Sequence, residues 1–116
     1  MLIPIKVWNR IDMLQQPIAV EITSEDSRWR RWVSIHYDLN RKPHLTYPQH
    51  LYCVIDTKFD TELLKIHAQF GDEDLAILNE SRYYASDLAQ LYAILLDLKI
   101  SPESFDAPWH VRHPLL

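Results

Sequence analysis

Three sets of residues in this 116-residue chain have the types and spacing to do chemistry. Asp38 and the triplet Asp56-Thr57-Lys58 put two carboxylates and an amine at the ends of two expected strands, eighteen positions apart. The run Arg28-Trp29-Arg30-Arg31-Trp32, with Tyr37, Arg41, Lys42 and Tyr47 downstream, mixes guanidinium groups with aromatic rings. Such a mixture can grip phosphates and stack bases, and it is also typical of protein–protein hot spots. The third set is histidine: His36 shares a strand face with Asp38, His44 and His50 flank a loop, and His110 and His113 lie in a proline-bounded tail. A zinc site needs three or four converging ligands. These histidines have no finger spacing and Cys53 stands alone in an apolar run, where it reads as a small hydrophobe, so no metal and no cofactor is expected. No Ser–His–Asp or Cys–His arrangement can be read from the spacing.

An aspartate ending one strand and Asp-x-Lys ending the next resembles the pattern of restriction-endonuclease-like metal nucleases. The resemblance spans about residues 24–78 and is carried by Asp38, Asp56 and Lys58; Tyr37 stands where that family usually has proline before its first aspartate. It implies a Mg²⁺ held by the two carboxylates and a water positioned by the lysine. The alternative is that Asp56 opens a loop and Lys58 is solvated, and the chain-wide charge favours that alternative.

Charge is unevenly spread. Residues 1–55 carry seven Lys/Arg and five Asp/Glu; residues 56–116 carry five and eleven, and the chain has a net charge of −4. An acidic half repels nucleic acid and steers towards a basic partner. An acidic run extends through Asp72, Glu73, Asp74, Glu80, Asp87, Asp97, Glu103 and Asp106. Many such residues serve only to cap helices and fill wet faces. A single glycine, Gly71, argues against a P-loop or dinucleotide fingerprint. One cysteine excludes an intrachain disulfide and suits a reducing cytoplasm. The N-terminal order, a lysine after a short apolar run, is not that of a signal peptide, and no stretch reaches the ~20 apolar residues of a membrane span.

These residues need elements to hold them. Alternation predicts strands at 3–7, 18–22 and 32–39, and a continuous apolar run predicts a central strand at 51–55. Asp60 or Thr61 caps a helix over about 61–70 that ends at Gly71, with Leu63, Leu64, Ile66, His67 and Phe70 on one side. Residues 75–78 read as a short strand completing a crossover unit. The stretch 86–100 predicts a helix apolar on almost every side, with one wet stripe of Asp87, Gln90 and Asp97. Such a helix is expected to lie on the sheet and to touch a second element. Residues 103–116 form a surface-packed tail. The expectation is one small α+β domain over 1–116, with an antiparallel or mixed sheet of four or five strands covered by helices at about 61–70 and 86–100.

No motif identifies an activity. The reading that fits charge and composition is a non-catalytic, cytoplasmic protein-binding protein: a small acidic inhibitor, immunity protein, antitoxin or adaptor. Its partner would be another protein, such as a basic enzyme acting on nucleic acid. Its contact residues would be Arg28, Trp29, Arg30 and Arg31 or the acidic Asp72, Glu73, Asp74, Asp87 and Asp97. A homodimer packed through the long helix is a further expectation; membrane and nucleic acid are not expected partners. The alternative is the metal nuclease using Asp38, Asp56 and Lys58.

Overall fold

The computed structural model describes residues 2–40 and 48–116; Arg41, Lys42, His44 and Tyr47 lie outside them. Four strands form one antiparallel sheet in chain order: β1 (Ile18–Ile22), β2 (Trp29–Asn40), β3 (His50–Asp60) and β4 (Ile77–Ala85). Helix α1 (Ile5–Asp12) precedes the sheet, α2 (Thr61–Ala68) and a 3₁₀ turn (Glu73–Ala76) interrupt it between β3 and β4, and α3 (Leu88–Asp97) follows it. The architecture is α+β, with a sheet of the expected size.

Register explains the layers. Ile35 stands opposite Val54, which stands opposite Tyr83; Val33 and Ile35 from β2 and Tyr52 and Val54 from β3 therefore share one face. On this face they meet Ile11 of α1, Leu91 and Leu95 of α3, and Phe105. Trp32 and Phe59 point to the other face, where their rings meet edge-on with centroids 5.5 Å apart. Leu64, Ala76, Ile77 and Val111 close over this second, smaller cluster. The buried Trp32 donates its Nε1–H to the Val111 carbonyl at 2.8 Å, which ties the tail to the sheet.

Several local expectations change. Residues 3–7 are not a strand: Pro4 precedes the first turn of α1, and Val7, Trp8 and Ile11 face the core while Ile5 is exposed. The Ile3-Ile5-Val7 alternation coexists with that helical spacing, and packing selects the helix. Strand β2 opens at Trp29, three residues before the expected 32. Residues 75–78 are not a separate strand either. They straddle the 3₁₀ turn and the start of β4, which runs on through 81–85 and pairs antiparallel with β3, so there is no crossover unit. Asp60 caps α2, accepting the Leu63 N–H at 2.8 Å, and Gly71 takes the left-handed backbone (φ 72°).

The apolar helix does lie on the sheet and does meet a second element. Leu91 and Leu95 are fully buried, and the Tyr92 hydroxyl accepts the Ile3 N–H at 3.0 Å, next to α1. Its N-cap is Asp87, and its outer flank is open: Leu96 is 77 % exposed and Leu88 45 %. Leu95→Ala should therefore lower the unfolding free energy by ~2–5 kcal/mol, while Leu96→Ala should change it by less than ~0.5 kcal/mol. Urea unfolding of the two variants checks this, and equal losses would contradict the assigned face.

Candidate protein-binding surface

The sheet separates the residues of the nuclease pattern. Asp56 stands opposite Val33 and shares its face, where Arg31 holds both carboxylate oxygens at 2.8 and 2.7 Å. Lys58 lies on the same face with Nζ 4.2 Å from the Trp29 ring centroid. Asp38 lies five positions beyond Val33 along β2, ~17 Å of strand, and bonds His50 Nε2 at 2.7 Å. His50 in turn packs on Tyr84, which pairs with Cys53 on the opposite face from Val54. Two carboxylates on opposite faces of a sheet cannot share a Mg²⁺ that binds oxygen at ~2.1 Å. The set Asp38, Asp56 and Lys58 thus does not assemble, because one strand position separates the two faces.

The Arg–Trp run divides in the same way. Trp29 and Arg31 fall on the helix side of the sheet, beyond the reach of α1 and α3. With Asp56, Lys58, Ser81 and Tyr83 they line an open depression of about 330 Å³. Arg30 and Trp32 fall on the other side, where the guanidinium sits 4.6 Å above the Trp32 ring and pairs with Glu21 at 2.7 Å. Arg28 projects into solvent, paired with Asp26. Every arginine of the run is thus matched to a carboxylate within the chain.

Two of the five acidic candidates, Asp72 and Asp87, are also spoken for. Asp87 caps α3 by accepting the Gln90 N–H, and Gln90 accepts the Ser86 N–H, both at 2.8 Å. The wet stripe of the helix is thus largely a capping arrangement. Asp97 sits exposed at the other end of α3, so the stripe forms no continuous ridge with Asp87. Asp72 meets His67 Nδ1 at 3.2 Å. Glu73 and Asp74 begin the 3₁₀ turn that packs on α2.

Helix α2 carries the feature that sequence reading missed. It has no buried residue. Only Leu64 turns towards the Trp32–Phe59 cluster. Leu63 and Ile66 are 39 % and 51 % exposed, and Phe70, just past the helix, is 75 % exposed. At spacings of three and seven these three line one outward stripe. Leu75 and Leu78 of the following turn and strand are exposed as well. A run of large exposed apolar side chains marks an interaction surface. The stripe is bordered in sequence by Asp60, Glu62, Asp72, Glu73 and Asp74 against one lysine, Lys65. The available signal was the double register of 61–70: Leu63, Ile66 and Phe70 form one stripe and Leu64 with His67 another, and periodicity alone does not say which faces inward.

No family model matches this chain, and neither a curated protein nor a solved structure is significantly similar to it. Among the described residues no helix is long and apolar enough to cross a membrane, and no three His, Cys, Asp or Glu side chains converge as a metal site.

Two buried groups on the second face have shifted titrations. Burial pushes the Cys53 thiol up to about 11. Burial, with repulsion from His36, brings His113 down to about 4, and His36 is lowered by burial and by Arg82. His113 Nδ1 accepts the Leu115 N–H at 3.1 Å, as a neutral ring can. A histidine whose folded value lies below its unfolded one contributes stability above pH ~6.5 that is lost as pH falls towards 4. From pH 7 to pH 5 His113 alone should cost on the order of 1–2 kcal/mol, read as a falling urea midpoint that His113→Phe partly flattens. An equal pH slope in that variant would contradict the assignment. The native Cys53 thiol should react with a disulfide reagent at pH 8 at least ~100-fold more slowly than in urea, since thiolate is the nucleophile.

Proposed function

We propose that this chain is a non-catalytic protein-binding protein, of inhibitor, immunity, antitoxin or adaptor type, that docks through the outer stripe of α2. The single observation that carries the reading is the exposure of Leu63 and Ile66 on a helix that buries none of its residues, and of Phe70 just past it. Charge supplies the chemistry of the partner. Residues 60–74 hold five carboxylates and one lysine, a net of −4 within a chain whose net charge is −4. An apolar groove rimmed by lysine and arginine complements such a surface, with the apolar contact supplying affinity and the charges steering the encounter. A basic protein that acts on nucleic acid presents a rim of that kind. The dispersal of Asp38, Asp56 and Lys58 over two faces favours binding over nuclease chemistry.

A photo-crosslinking residue placed at position 66 or 70 in the source cells tests the proposal. Both positions should capture the same basic protein, whereas position 28 or 109 should not. Reversal of Asp72, Glu73 and Asp74 to lysine should weaken the purified complex at least ~10-fold at low salt and less at high salt. Capture that is independent of position, or an affinity unmoved by the reversal, would sink this surface.

A further inference from the structure

The two edges of the sheet are treated differently. The outer edge of β1 is covered at its middle by the tail, where Ala19 and Asp106 exchange both backbone hydrogen bonds at 2.9 Å. The outer edge of β4 pairs with no strand among the described residues; a bulge at Leu78, where Lys58 meets Asn79 and Phe59 meets Ile77, interrupts its start, and 79–85 runs on as a regular open edge. Long open edges invite pairing with another chain and are usually shortened, bulged or covered.

The residues on this edge select a partner. Residues 79–83 read Asn-Glu-Ser-Arg-Tyr. In an antiparallel pair, residues directly opposite each other point to the same face. Joining β4 to a second β4 about a dyad at Ser81 therefore sets Glu80 against Arg82 of the second copy, and Arg82 against Glu80, giving two opposite-charge pairs. Asn79 meets Tyr83 twice. Moving the dyad one residue to either side, the smallest step that keeps both faces continuous, sets Glu80 against Glu80 or Arg82 against Arg82. One register is thus attractive and its neighbours are repulsive, which is how charged edges specify pairing. Within one copy Arg82 already meets Glu80 at 2.8 Å with both side chains reaching solvent, so dimer formation exchanges that contact for two cross-strand ones.

We infer that β4 is a self-association edge, through which two copies of this chain join antiparallel about Ser81 into a continuous eight-stranded sheet. The occupant of the edge is a second copy because charge complementarity is that of the segment with itself. Ser81 and Tyr83 also line the depression beside Trp29, Arg31, Asp56 and Lys58. Pairing would carry that polar floor across the dyad onto the second copy. The inference does not rest on the α2 surface, and substitutions there leave it untouched.

Sedimentation equilibrium of the full chain with two single variants decides it. The wild type should dimerise. Glu80→Arg and Arg82→Glu should each weaken self-association about 10-fold or more, since both cross-strand pairs become like-charged. An equimolar mixture of the two variants should recover a heterodimer, because each edge then meets its complement. That recovery also guards against misfolding as the cause of the losses. A wild type that stays monomeric at high concentration, a dimer indifferent to either charge reversal, or a mixture without recovery overturns the inference.

Discussion

Successive side chains of a strand point to opposite faces, and two long central strands impose that constraint on most of this molecule. Along β2, Val33 and Ile35 enter one layer while Trp32, Ser34 and His36 enter the other. Along β3, Val54 and Asp56 take the first side and Cys53, Thr57 and Phe59 the second. The registry Ile35–Val54–Tyr83 keeps this sorting in phase across three strands. Shifting one strand by one residue would move Val54 to the second face and bring Cys53 against α3, so the core strongly specifies the register.

The two layers are closed by different means. The larger one is sealed by α1 and α3, whose inner residues meet the sheet directly. The smaller one centres on Trp32 and Phe59 and is closed by side chains from scattered places: Leu64, Ala76, Ile77 and Val111. Because α2 covers only this small cluster, one inward leucine suffices and its remaining apolar residues face out. The exposure of the α2 stripe is thus a consequence of how little area that layer offers.

Charges in this fold mostly answer local needs. Asp60 and Asp87 cap helices, Arg30 and Arg31 pair with Glu21 and Asp56 on neighbouring strands, and Arg28 pairs with Asp26 across a turn. The acidic balance of the second half of the chain is therefore less available to a partner than its composition suggests. Among the described residues, Glu73 and Asp74 beside α2 and Asp97 at the end of α3 stand clear of such roles.

Much of the fold was legible from residues alone. The alternation in 18–22 and 32–39, the apolar run at 51–55, the Asp60 cap with Gly71 beyond it, and the apolar stretch at 86–100 all report local backbone preference and burial, and each marks an element of the structure. The sequence by itself determined the α+β class, the strand content of the middle of the chain and its uneven charge. Only the tertiary structure decided that residues 3–7 lead into and begin a helix, because alternation and helical spacing coexist there and packing of Ile3 and Val7 into the main core cluster chooses between them. It alone decided that Asp38 and Asp56 face apart, since faces depend on the register between strands and register is a long-range property. And it alone turned Leu63, Ile66 and Phe70 outward, because the apolar arc of this segment is wider than the surface its neighbours offer, and only packing decides which part of the arc is covered.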